Sequence, residues 1–271
     1  MEKLNIDLTE SQIVSVANDV QASYHITVNK ETDITLNFPE NSHGNVFITL
    51  LGEGNLNLQM EFDNHSDWSY LMINESDHAL NIKETVTLNE GAHVKANYGE
   101  LSKGQHVKVT DFVFNGPHSH LDVRGASIAF GELEWHMSAI HRAKDTYAML
   151  KNYGIVFTGG RLTFEVLGDI AKGQRRSKTH QETRVMNMDE QVRARVFPKL
   201  VIDENDVEAS HAASVGQPDP EAIYYMRSRG LSLKETLQQM TLGYLLPIID
   251  VIEDEEIKEQ LSESIYNKVM Q

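Results

Sequence analysis

Short stretches of strict alternation recur along most of this chain, and they constrain its fold more than any motif does. Examples are Ile34-Thr35-Leu36-Asn37-Phe38, Leu56-Asn57-Leu58-Gln59-Met60-Glu61-Phe62 and Leu80-Asn81-Ile82. Others are His106-Val107-Lys108-Val109-Thr110, His120-Leu121-Asp122-Val123 and Glu132-Leu133-Glu134-Trp135. Apolar residues at every second position give a strand one buried face, so the valines of the 106–110 stretch are expected inside. Turn residues separate the stretches, as in Asn41-Ser42-His43-Gly44, Gly52-Glu53-Gly54-Asn55 and Asn115-Gly116-Pro117. Strand centres fall near 36, 48, 59, 71, 82, 96, 109, 123 and 135, about 12 residues apart. Such regular short strands suit a large sandwich, a barrel or a β-solenoid, and periodicity leaves all three open.

The pattern changes after residue 217. Asp219-Pro220-Glu221 reads as an N-cap, a proline at the first helical position and an acid favourable to the helix dipole, and Gly230 reads as the stop. Ser232 and Glu235 have the spacing of a capping box. Leu233, Leu237, Met240, Tyr244 and Leu245 then form one apolar stripe, which Pro247 ends or kinks. Ile257, Leu261, Ile265 and Val269 form another at steps of four. The expected division is a β body over 1–217, its first 23 or so residues a lead-in, and a helical domain over 218–271. Both stripes must bury themselves on the body or on a partner.

Charge and composition narrow the function. With 24 basic and 40 acidic residues the chain carries a formal charge of −16, which repels phosphate backbones and anionic membranes. No nucleic-acid or membrane partner is expected. There is no cysteine, hence no disulfide, no thiolate metal site and no cysteine nucleophile. The first residues hold no continuous apolar stretch, and the longest apolar run, Tyr244 to Ile252, is broken by Pro247 and Asp250. No secretory signal or spanning helix is expected, and a cytoplasmic protein is the simplest reading.

Catalytic signatures are scarce. Neither a phosphate-binding G-x-x-x-x-G-K-[ST] loop nor a G-x-G-x-x-G turn after a strand is present. Gly159-Gly160 reads as a plain turn or bulge. His118 and His120 would share a strand face, which reads as solvated without a third ligand. His136 and His141 would lie on opposite faces. Ser210, His211 and Asp206 suggest a triad, but adjacent strand residues point apart, so Ser210 and His211 do not form a nucleophile–base pair. Arg175-Arg176-Ser177-Lys178 is the one basic cluster in sequence and reads as a solvated turn, or as a local contact for an acidic partner.

From about Gly131 to Leu246 the chain resembles the SufB/SufD family, scaffold subunits of the Suf iron–sulfur cluster assembly machine. The resemblance runs from Pro198-Lys199-Leu200-Val201-Ile202-Asp203-Glu204-Asn205-Asp206-Val207 through Glu208-Ala209-Ser210-His211-Ala212-Ala213-Ser214-Val215-Gly216-Gln217. It ends at Glu221-Ala222-Ile223-Tyr224-Tyr225-Met226-Arg227-Ser228-Arg229-Gly230-Leu231. This order is similar to the family's P-x-L-x-I…D-V-x-x-S-H-G-A-T-x-G…F-Y-L-x-S-R-G-[IL] signature. Gly154 to Gly159 and Ala171 to Gln181 resemble its strand–turn repeats.

The resemblance implies a mainly β protein, a right-handed parallel β-helix followed by a small C-terminal helical domain. It also implies a non-catalytic scaffold. Family members pair through their β-helices, and each helical domain docks a SufC-type ABC ATPase. The expected partners are therefore that ATPase and either a SufB-like chain or a second copy of this one. By the resemblance His211 is the cluster-assembly candidate, at the position implicated in building the nascent cluster; a neutral imidazole ligates iron. Asp206, Gly216, Tyr225, Arg227, Arg229 and Gly230 match the signature mainly as structural residues. Leu237, Met240, Tyr244 and Leu245 are the partner-binding candidates.

No cofactor is expected to stay on this chain alone, only a transient iron–sulfur cluster at a subunit interface. Three departures qualify the picture: Ala212 replaces the usual glycine, the long N-terminal helical region is missing, and no cysteine is present to act as SufB's does. The missing cysteine argues against a SufB-like role and leaves two readings, the SufD-type half of a heterodimer and a homodimeric paralogue with drifted function. Competing readings are a β-helix enzyme acting on polysaccharide, of a kind usually exported, and a drifted SufBD paralogue with another cargo.

Overall fold

The computed structural model describes residues 2–249, 252 and 255–270. Its strands are β1 (Glu2–Leu8), β2 (Gln12–Ser15), β3 (Val20–Phe38), β4 (His43–Phe62), β5 (Asp67–Asn74), β6 (Leu80–Leu88), β7 (His93–Glu100) and β8 (His106–Phe114). They continue with β9 (His120–Ala129), β10 (Glu132–His141), β11 (Tyr147–Val156), β12 (Arg161–Ile170), β13 (Lys178–Asn187), β14 (Arg193–Ile202) and β15 (Glu208–Gly216). Three helices follow: α1 (Pro220–Ser228), α2 (Leu233–Ile249) and α3 (Glu255–Met270).

Every strand pairing is parallel, and each strand pairs with one a full turn away in sequence. Of the three architectures periodicity allowed, the molecule is thus the solenoid, and its 12-residue spacing is half a turn. One wall stacks β1, the first half of β3, the first half of β4, then β5, β7, β9, β11, β13 and β15. The other stacks β2, the second halves of β3 and β4, then β6, β8, β10, β12 and β14.

Turns lengthen along the axis: Val20 pairs with Gly44, 24 residues on, and Tyr147 with Lys178, 31 on. Residues 2–15, read as a lead-in, instead supply two strands of the stack. In β3 and β4 the chain rounds the corner without leaving the ladder. Gly54 makes this possible at φ +121, where a Cβ would sit 2.2 Å from the Lys30 carbonyl oxygen.

Between the walls lies one continuous core, with Phe38 stacked on Phe62 at 4.1 Å and Trp68, Tyr70, Tyr98, Phe112 and Trp135 fully buried. Inside it sits a charged centre. Lys108 Nζ is 2.7 Å from Glu100 Oε1 and 3.7 Å from Glu84 Oε2, and lies over the Tyr98 and Trp135 rings. Tyr98 and Thr110 donate to Glu84 at 2.9 and 3.0 Å, and Asn74 donates to Glu100 at 3.0 Å.

The expected face of the 106–110 stretch is therefore inverted: His106, Lys108 and Thr110 point inward, and Val107 is 42% exposed. Phe112 and Phe114 share the phase of Lys108 and hold the strand in that register.

A second apolar cluster covers the outside of the odd-numbered wall. Ile257, Leu261, Ile265 and Val269 of α3, with Leu242 and Leu245 of α2, bury themselves against Phe47, Leu71, Ile73, Ala126, Ile128 and Ile155. Helix α2 runs two residues past Pro247 instead of stopping there, while Asp250 lies outside the described residues.

Candidate functional site

The upper end of the solenoid is formed by two edge strands, β14 and β15, ten and nine residues long, and each pairs on one side only. The N–H and C=O groups of their outer edges are available for another strand. Exposed apolar residues sit on both: Phe197 and Val201 on β14, Val215 on β15.

His211 occupies the middle of β15. It pairs with Gln181, which pairs with Leu150, so its side chain belongs to the inward column. Because no strand lies above it, His211 is nonetheless exposed. Gln181 beneath it reaches across the core to donate to the Lys199 carbonyl at 3.1 Å. The arrangement is an imidazole at the mouth of the core, accessible to a second chain. No group of three His, Asp or Glu able to hold a metal occurs among the described residues. The chain has no cysteine, so it supplies no thiolate beside this imidazole.

The neighbours of His211 have other duties. Ser210 faces outward, with its hydroxyl 2.8 Å from His180 Nδ1, so the serine–histidine contact joins residues 30 apart and not the adjacent pair. Asp206 accepts from Arg175 Nε at 3.3 Å, and its carbonyl accepts from the Arg176 N–H. Arg176 forms a fork on Asp145, and Lys178 pairs with Glu208 at 2.7 Å, which holds the Glu208 carboxyl below its usual range. The basic cluster 175–178 is thus neutralised by acids of its own chain. Gly216 ends β15 in open space.

The other histidines sort as follows. His120 opens β9 and pairs with Asp122 at 3.0 Å, whereas His118 sits in the preceding turn at φ +62, off the strand face. His136 faces outward to Glu134 at 2.7 Å, and His141 faces inward, stacked 4.5 Å from Phe114.

Helix α1 stands clear of the body. Its cap is as the sequence indicates: Asp219 accepts from the Glu221 N–H at 2.9 Å, and Gly230 follows the helix at φ +98. The capping box of α2 is reciprocal, Ser232 N–H to Glu235 at 2.7 Å and Glu235 N–H to the Ser232 hydroxyl at 3.2 Å. None of the side chains of α1 is buried. Arg229 covers the Tyr225 ring, while Tyr224, 76% exposed, and Arg227 flank a groove of about 690 Å³ between α1 and the start of α2.

Part of the expected partner-binding stripe is taken up by the chain's own wall. Leu245 is a core residue, and the Tyr244 ring lies tilted 5.7 Å from that of Tyr153, its hydroxyl pushed up to about 12 by burial. Leu237 and Met240 are half-buried. Apolar surface stays open in the helical region at Tyr224 and Tyr225 of α1, beside the half-buried Ile223 and Leu231, and also at Leu233 and Leu246 of α2 and Tyr266 of α3. No helix among the described residues is long and apolar enough to cross a membrane.

Comparison with known proteins agrees with this architecture. The family described as "SUF system FeS cluster assembly, SufBD core domain" matches residues 13–244. The iron–sulfur cluster assembly protein SufD of Bacillus subtilis is 30% identical over 173 residues, covering 63% of this chain and 40% of that protein. SufD of Escherichia coli is 29% identical over 40% of this chain and 25% of its own length. SufB of Bacillus subtilis is 24% identical over 45% of this chain and 27% of its own. The match thus spans two fifths or less of each of these relatives.

Proposed function

The chain belongs to the SufBD core family, and from that premise we propose that it is a non-catalytic, SufD-like cytoplasmic scaffold for iron–sulfur cluster assembly. The observation that carries the reading is the open upper end, where two long edge strands flank an accessible His211. A SufB-like chain, or a second copy, would add its own edge strands to β14 and β15, with Val215 enclosed between the walls and the outward Phe197 and Val201 packed beside the side chains of the added strand. His211 would then lie at the junction, where a neutral imidazole supplies one ligand to a nascent cluster and the partner supplies the rest. The cluster is cargo, held in transit. A SufC-type ABC ATPase would dock on the α1–α2 groove. The α2–α3 packing on the odd-numbered wall would carry its movement to the solenoid.

The test uses the full chain co-expressed with its assembly partners. Phe197→Glu/Val201→Glu is expected to leave thermal unfolding unchanged, since both positions are exposed, but to abolish pairing in size-exclusion chromatography. His211→Ala is expected to keep pairing and ATPase binding and to lower cluster formation about tenfold in a reconstitution with iron and sulfide. Normal cluster formation by His211→Ala removes this residue from the mechanism. Intact pairing and ATPase binding with no cluster on the wild-type complex would favour another cargo.

A further inference from the structure

In so acidic a chain most cations find an acid. Arg124, Arg142, Arg175, Arg176 and Arg184 all do. Arg161, Arg193 and Arg195 have no ion pair and no side-chain hydrogen bond among the described residues, yet the fold gathers them together. Arg161 of β12 and Arg193 of β14 are direct partners in the parallel ladder. Arg195 follows two residues on, along the same outward face. Adjacent strands lie about 4.8 Å apart and alternate residues about 6.6 Å apart, so three guanidinium stems rise from one small patch. Like charges directly opposite each other are destabilising. Glu132, the partner of Arg161 on its other side, forms no ion pair with it.

These arginines line a cavity of about 470 Å³ closed by the Thr158–Gly160 turn and Gln191. The backbone must come close here, because a Cβ at Gly160 would lie 2.3 Å from the Ala129 carbonyl oxygen. Asp189 does not neutralise the arginines. Its carboxylate accepts from the Gln191 N–H and the Thr158 hydroxyl, both at 2.8 Å. With Glu132 counted, the lining keeps two positive charges in excess, and Val192 is its one large apolar side chain.

We propose that this pocket binds a small phosphorylated metabolite through Arg161, Arg193 and Arg195. A guanidinium offers a planar fork that matches phosphate oxygens two at a time, and three such forks suit a multiply charged group. The cavity is larger than a phosphate and within the range of small-ligand sites, which leaves room for the body of the ligand. The site lies on the outward face of β14, the strand that also borders the proposed seam, but it does not use His211, and its binding test on the single chain does not depend on the scaffold reading.

Calorimetric titration of the full chain with inorganic pyrophosphate at low ionic strength tests it, with inorganic phosphate and citrate as comparators. Saturable pyrophosphate binding is expected, weakened about tenfold or more in Arg193→Gln/Arg195→Gln. Should that variant fail to fold, Arg161→Gln carries the same expectation. Arg175→Gln/Arg176→Gln removes two arginines already paired with Asp206 and Asp145, and it should leave binding within about twofold. Absence of saturation by about 10 mM pyrophosphate overturns the proposal. So does an equal loss in both double variants, which would mean a general charge effect. Citrate binding as tightly as pyrophosphate overturns the phosphate assignment.

Discussion

The middle and the upper turns of the solenoid handle buried polarity in opposite ways. Around β6 to β8 every polar atom of the charged centre is matched: Glu84 by Tyr98, Thr110 and Lys108, and Glu100 by Asn74 and Lys108. In the turns of β9 to β13 the inward column is again polar, with Ser127, Asn152, Thr179 and Gln181. There Ser127 Oγ, Asn152 Oδ1, Thr179 Oγ1 and Gln181 Oε1 have no partner within the protein. An unpaired polar atom deep in a dry core is costly, whereas one near an open mouth can be met by water. Distance from the mouth therefore decides how strictly pairing is enforced. Full pairing is thus found in the middle, and unmatched oxygens in the turns between it and the end that carries His211.

Breaking the middle should have the largest effect. Lys108→Met leaves Glu84 and Glu100 buried without their cation and is expected to cost about 3–5 kcal/mol in urea unfolding. Adding Glu84→Gln and Glu100→Gln should recover most of that loss, because no charge then remains to be compensated.

Next comes acid sensitivity at His141, which is buried against Phe114 and has its pKa lowered to about 4 by that burial. The unfolded imidazole takes its proton near the ordinary value of 6.5, before the folded one does. The neutral ring's contribution is thus complete above that value and is lost as the pH falls toward 4. The full term is roughly 3 kcal/mol, about 2 of it between pH 7 and pH 5. His141→Gln should flatten the stability difference between those two pH values by that amount.

The smallest effect is expected at the mouth. Gln181→Leu loses the bond to the Lys199 carbonyl but also removes an unmatched oxygen, so stability should change by less than about 1 kcal/mol. A loss as large as that of Lys108→Met would overturn the contrast between middle and mouth.

The strands and helix caps were legible because their determinants are local. Alternation marks each wall segment, and Asp219, Ser232, Glu235 and Gly230 act within a few residues of themselves. The face of β8 was not, because Val107 and Val109 mimic a buried pair. Lys108 finds Glu84 only after a full turn of the solenoid, 24 residues away. The same limit hid the arginine pocket: Arg161 and Arg193 are 32 residues apart and meet only through the register. For His211 the sequence resemblance marked the residue. That its side chain belongs to the inward column rather than the outer face follows from its pairing with Gln181. Both helical stripes were plain, yet amphipathicity alone does not distinguish docking on one's own wall from docking on a partner. The structure assigns α2 and α3 to the wall and leaves α1 free.

The lengthening turns also bear on polymerisation. A stack with an exposed edge strand risks growing head to tail into a fibre, because such contacts do not close. Here β14 offers ten residues, while β2, at the opposite end of its wall, offers four. A copy added in that direction would leave most of β14 unmatched, although β1, with seven residues, nearly matches the nine of β15. Two broad ends meeting each other can match strand for strand. The mismatch between β2 and β14 thus works against head-to-tail stacking on that wall and for the meeting of two broad ends.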